Sequence, residues 1–256
     1  NNFITFLLII VFDEIFLLRY YIDMNEVEVK SGILDTIWSN DGWVLGPFKF
    51  KHSFLYSEDV YMRWCKWNAN EIRNRTTLGR DKNWCESIFL VKGEIEFKYA
   101  GKSYLLNSEG DYAVYNSLLH PKLNVSKDST AIILRWRSKF DGFVCDNIQQ
   151  NLELNRQWII GSFLKKDSCF YSDEFEMKWG LKNDYPYLNP AKSISSISNF
   201  NWKSMGILCR GNMIYEYPND KSYLGACGHY TYWSPNIPHS NSTDRPSLCL
   251  TLRWQN

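Results

Sequence analysis

The stretch Tyr56–Trp64, YSEDVYMRW, is written a second time at Tyr171–Trp179 as YSDEFEMKW, 115 residues further on. The same step carries WVLGPF (43–48) onto WIIGSF (158–163). Downstream the step widens slightly. NWCESIFLVKG (83–93) returns as NWKSMGILCRG (201–211), KSYLLNSEGDY (102–112) as KSYLGACGHY (221–230), and IILRW (132–136) as LTLRW (250–254). A chain that matches itself in this order is a duplicated domain, and each motif has to be read in both copies.

Eight of the eleven tryptophans fall in matched pairs: Trp43 with Trp158, Trp64 with Trp179, Trp84 with Trp202, and Trp136 with Trp254. Large aromatics recurring at one place in both copies are expected to pack cores. Trp233, Trp67 and Trp38 have no tryptophan partner and are candidates to stack on a ligand. Between them run short segments such as FEMKW, SIFLV, EIEFKY, YAVY, AIILRW, GILC, MIYEY, YTYW and LCLTLRW. These alternate or run apolar over strand lengths and are separated by Gly, Asn, Asp and Pro, which predicts an all-β chain. The expected organisation is an upstream segment 1–23 outside the fold, a first domain over 24–140, a linker over 141–157 (a short helix or an extended crossover), and a second domain over 158–256.

Composition narrows the field. With 45% hydrophobic residues the chain builds real cores, and a net charge of +1 spread along its length leaves no footprint for nucleic acid or anionic membranes. The apolar run FITFLLIIVF (3–12) is broken by Asp13 and Glu14, too soon for a bilayer span. It also lacks the basic start and small-residue cleavage site of a signal peptide, so a membrane partner is expected only if 1–23 is an anchor. Seven cysteines without a C-x-x-C pair read as reduced, packed thiols in a cytoplasmic protein rather than a zinc site. The triplets at Asn74, Asn124 and Asn241 matter only in a secreted chain. No G-x-S-x-G elbow and no glycine-rich phosphate loop occurs.

Three further motifs bear on chemistry. Glu86–Gly93, ESIFLVKG, has the form E-x6-G; Gly228–His239, GHYTYWSPNIPH, runs from a glycine to a histidine; and Gly110–His120, GDYAVYNSLLH, is its counterpart, one residue shorter. Two consecutive β-rich units carrying these motifs resemble a bicupin, a tandem pair of cupin-like double-stranded β-helix (jelly-roll) barrels. The resemblance implies a divalent metal (Fe, Mn, Ni or Zn) inside a barrel, and the isomerase, lyase or dioxygenase activities of metal-dependent cupins. Residue by residue it carries over Glu86 and His120 in the first copy, and His239 with His229 in the second. Where the family's paired histidines stand, this chain has Arg80-Asp81-Lys82 and Ser198-Asn199-Phe200, and Ser204 replaces the second glutamate. The ligand set is therefore incomplete.

Strand alternation supplies a different candidate. In FEMKW, Phe175, Met177 and Trp179 share one face and Glu176 and Lys178 the other, where the first copy has Tyr61 and Arg63. In LCLTLRW, Cys249, Thr251 and Arg253 lie opposite the leucines and Trp254, with Arg135 at the matching place in the first copy. If these faces point inward, Arg63 with Arg135 and Lys178 with Arg253 suit a carboxylate or phosphate; if outward, they are a solvated surface. The expected function is binding of a small polar or anionic metabolite, such as a sugar acid, without a complete metal site, with Trp233 as a further contact. A metal-dependent enzyme and a structural, homo-oligomeric bicupin are the alternatives.

Overall fold

The computed structural model describes residues 29–37, 42–73, 82–119, 121–151, 154–183, 187–189 and 202–255. Residues 1–23, Trp38, Asp81 and His120, together with Ser198-Asn199-Phe200, lie outside these. The described chain is all-β, as the alternation predicts. It opens with β1 (Val29–Ile33) and a single helical turn, Leu34–Ile37. The first copy follows as β2 (Trp43–Leu45), β3 (Val60–Trp67), β4 (Ile72–Arg73), β5 (Trp84–Tyr99), β6 (Lys102–Leu106), β7 (Asp111–Asn116) and β8 (Lys122–Arg137). Of the segment 141–157, Phe143–Asn147 is strand β9, and 3-10 turns occupy Ile148–Asn151 and Leu154–Gln157. The second copy comprises β10 (Trp158–Ile160), β11 (Phe175–Lys182), β12 (Tyr187–Asn189), β13 (Lys203–Arg210), β14 (Met213–Glu216), β15 (Lys221–Leu224), β16 (His229–Trp233), β17 (Ser240–Thr243) and β18 (Ser247–Trp254).

The main sheets have matching strand orders, β2-β3-β8-β5-β7-β9 and β10-β11-β18-β13-β16-β1. In each, the outermost strand precedes the other copy in the chain. β1 leads the first copy but pairs with β16 of the second, and β9 leads the second copy but pairs with β7 of the first. The exchange is matched atom for atom: Leu34 N–H donates to Gly228 O at 2.9 Å, and Ile148 N–H donates to Gly110 O at 3.0 Å. Strands in the order β12-β17-β14-β15 form a smaller sheet over the second copy's inner face, whereas in the first copy the long strands β5 and β8 bend at bulges to do the same. The sheets keep their edges, so the expected barrels are open rather than closed cylinders.

Each main sheet is covered on both faces. Val60, Met62, Trp64, Leu134 and Trp136 from one copy and Phe175, Met177, Trp179, Leu252 and Trp254 from the other form one core between the copies. Trp64, Trp136, Trp179 and Trp254 are completely buried there, the packing role that their recurrence predicts. The opposite face of each sheet covers a separate interior. In the first copy this holds Trp67, Ile88, Leu90, Ile95, Phe97 and Tyr115 among others, and in the second Leu208, Met213, Tyr215, Tyr217 and Trp233.

The glycine of E-x6-G has a backbone reason. Gly93 and its counterpart Gly211 have φ of 104° and 84°, and a Cβ there would lie 2.2 Å from Ser129 Oγ and 2.1 Å from Ser247 Oγ. Those matched serines accept hydrogen bonds from the next amides, Glu94 N–H at 2.9 Å and Asn212 N–H at 3.0 Å. Gly93→Ala is expected to cost about 2–4 kcal/mol, from left-handed strain plus overlap with Ser129 and the Asp128 carbonyl. Gly101→Ala, at φ 76° with open space around it, isolates the strain alone at about 1 kcal/mol. Urea titrations of the two variants compare them, and equal losses would refute the overlap.

Candidate functional site

The inner faces carry transverse rows of side chains set by strand register. In the first copy Tyr61, Arg135, Glu86, Tyr115 and Phe143 are successive partners across β3, β8, β5, β7 and β9. The matching row in the second copy is Glu176, Arg253, Ser204, Trp233 and Val29 across β11, β18, β13, β16 and β1. The adjacent rows read Trp43, Arg63, Ile133, Ile88, Ala113 and Trp158, Lys178, Thr251, Gly206, Thr231. All four recurring cations therefore face inward. The two alternatives left by strand alternation are decided because the opposite face is occupied by the other copy.

The copies differ in what surrounds these cations. In the first, Arg135 is 4% exposed, with its guanidinium 5.0 Å from the Trp84 ring and 5.6 Å from Tyr61. Its cross-strand neighbour Glu86, 7% exposed, accepts a hydrogen bond from Tyr115 Oη at 2.9 Å. Arg63 lies over Trp43 at 5.8 Å, and the rest of that row is aliphatic. A filled interior results.

In the second copy the aliphatic positions are hydroxyls and glycine. Tyr215 reaches over Gly206, where a Cβ would lie 2.6 Å from its hydroxyl, and that hydroxyl is 3.3 Å from Cys249 Sγ. Tyr217 Oη pairs with Thr231 Oγ1 at 2.8 Å, which in turn donates to Ser222 at 3.1 Å. Beside this polar interior Trp158 carries two cations, Arg253 at 4.5 Å and Lys178 at 5.8 Å from its ring. Glu176 answers only part of that charge, pairing with Arg253 at 3.6 Å. Burial holds the Glu176 carboxyl above its usual range and Arg253 works against it. Lys178 is pulled down to about 8 by burial first, then by the nearby charges of Lys182, Arg253 and Arg156. Among the described residues no carboxylate forms an ion pair with Lys178.

Lys182 and Arg156 were not singled out by sequence reasoning. Lys182 continues the Glu176, Lys178, Gly180 alternation on β11, a signal that was there to be read. Arg156 sits in a 3-10 turn at φ 52°, anchored by its neighbour Gln157, whose amide donates to Leu181 O at 2.9 Å. Nothing in the local sequence marks it. Trp233 is 3% exposed, its ring tilted against that of His239 with centroids 4.5 Å apart, so it offers no open platform for a ligand. It lines, with Ser204, Asn236, Ile237 and Arg253, a recess of about 10 Å³, room for one water and no metabolite.

Of the metal ligands that the resemblance implies, His120 lies outside the described residues, and Glu86, His229 and His239 are not brought together. His239 is half-buried, its Nδ1 3.2 Å from Ile237 O, and burial keeps its imidazole below the ordinary pKa, with Arg253 adding to the effect. His229 Nδ1 accepts the Gly225 N–H at 3.3 Å. It stands four residues before Trp233 on the same strand, ~13 Å from the His239 side. Glu86 belongs to the other copy, is engaged by Tyr115, and has a guanidinium as its cross-strand neighbour, which opposes a second cation. Among the described residues no three His, Cys, Asp or Glu side chains converge, so these residues do not fit the family's metal centre.

No family model and no curated protein sequence matches the chain. Solved structures do. The Escherichia coli protein YlbA is 16% identical over 90% of this chain and 94% of its own, with a TM-score of 0.53. The bacterial pirin YhhW from E. coli, in complex with nickel(II), is 9% identical over 89% and 99%, at 0.55. A cupin 2 conserved barrel domain protein from Leptotrichia buccalis is 10% identical over 91% and 100%, at 0.50. The fold is that of the cupins, in two copies. No helix among the described residues is long and apolar enough to cross a membrane.

Proposed function

We propose that this bicupin binds a small anionic metabolite, carrying a carboxylate or phosphate, at the inner face of its second copy, with Lys178 and Arg253 as the principal contacts. The observation that carries this reading is the pair of inward-facing cations on Trp158, Lys178 and Arg253, of which Glu176 pairs only with Arg253. Half-buried cations in a low-dielectric wall attract an anion more strongly than exposed ones, and a guanidinium fixes its orientation. The first copy then serves as scaffold. The nickel(II) bound by YhhW remains that protein's property, since Glu86, His229 and His239 do not meet. Seven free thiols support a reducing, cytoplasmic setting.

A thermal-shift series tests the reading. Inorganic phosphate and malonate are expected to raise the melting temperature of the full chain above the effect of sodium chloride at equal ionic strength. A Lys178→Met, Lys182→Met double variant should lose that increment. An equal shift with all three salts, or an increment that survives the double variant, would overturn the assignment.

A further inference from the structure

We propose that the chain associates head to tail with a second copy of itself, the β5–β6 hairpin tip of one chain docking on the β14–β15 hairpin tip of the next. The repeat places these tips at the same point of the fold, with Lys98, Tyr99 and Lys102 matching Glu216, Tyr217 and Lys221. Each tip bears an open groove, of about 500 Å³ in the first copy and about 490 Å³ in the second. Their charges are opposite. Lys98, Lys102 and Lys122 line the first groove, whereas Glu216 and Asp220 line the second together with Lys221.

The chain does not settle these charges within itself. Lys98 and Lys122 are register partners on β5 and β8, and like charges directly opposite each other repel. Glu96 answers Lys98 at 3.0 Å, and among the described residues no carboxylate forms an ion pair with Lys102 or Lys122. In the second copy Glu216 pairs with Lys221 at 3.0 Å, while Asp220 accepts the backbone N–H of Lys221 at 2.7 Å and, among the described residues, pairs with no cation. The first groove thus keeps a surplus of positive charge and the second a surplus of negative charge. A small ion of either sign would suit one groove alone; a second chain suits both. The neighbouring strands favour the same partner. Among the described residues β6 pairs with β5 and β15 with β14, so each leaves one edge unpaired, and on these strands Leu105 and Tyr223 are 52% and 60% exposed. An open strand edge with exposed apolar side chains is a ready template for another chain. Because the contact joins unlike surfaces, it closes into a ring or grows as a chain. It involves neither Lys178 nor Arg253 and stands apart from the anion site.

Light scattering on the size-separated full chain tests this. The mass should be that of two or more chains at about 0.01 M sodium chloride and of a single chain at about 1 M, where charges are screened. A Lys102→Glu, Lys122→Glu variant turns the first groove acidic, and a Glu216→Lys, Asp220→Lys variant turns the second basic, so each alone should stay a single chain. Mixed in equal amounts the two should associate, because each then offers the charge that the other lacks, and that outcome also shows both to be folded. Where a reversal lowers the melting temperature, a Lys102→Gln, Lys122→Gln variant or Asp220→Asn takes its place and should weaken wild-type association at least about 10-fold. A single chain at low salt, association indifferent to salt or to the neutralised variants, or a mixture of folded reversal variants that stays apart would overturn the proposal.

Discussion

A chain that begins at Gly42 is expected to lose the second copy, not the first. The truncation removes β1, whose five register pairs complete the β16 edge, and Leu34, which is fully buried in the core between the copies. Losing those backbone bonds and that burial is worth about 5 kcal/mol, comparable to the whole stability of many domains. Hydrogen exchange read by mass spectrometry should show β16 and β13 amides unprotected, and a synthetic peptide spanning 24–37 should restore them. Full protection of β16 in the truncated chain would mean that the exchanged strand contributes little.

Glu86→Ala is expected to be the most damaging single substitution on the inner faces. It leaves Arg135, 4% exposed, without the carboxylate on its neighbouring strand, and strips Tyr115 Oη of its acceptor. Removing one member of a buried charged pair costs roughly 3–5 kcal/mol. A Glu86→Leu, Arg135→Met double variant should recover much of that loss, since apolar residues then replace both charges. Urea unfolding of both variants decides the matter: if the double variant is the less stable, Glu86 and Arg135 do not act as a compensated unit.

The duplication, the strand content and the buried role of Trp64, Trp136, Trp179 and Trp254 were all legible in the residues, because repetition and alternation are local signals. The direction of the cation-bearing faces was not. Alternating strands ordinarily have one wet face, but here Val60, Met62 and Trp64 cover the partner copy while Tyr61 and Arg63 cover the interior. Nor was the exchange of β1 and β9 legible, since VKSGI and FVCDN share no residue at matched positions. Nor was the distance between the second copy's histidines legible: His229 and His239 are near each other in the chain, but the length of β16 keeps them apart.

Gly93 and Gly211 outlasted a difference that separated Glu86 from Ser204. A signature such as E-x6-G is thus two independent clauses. The glycine answers to chain geometry, which every copy must satisfy to turn its strand over the serine behind it. The acid answers to chemistry, which a copy is free to abandon. Recognition methods that score the motif as one unit discard the clause that survives, and a diverged copy of this fold is better sought through its left-handed glycine and the serine thirty-six residues later that packs against it.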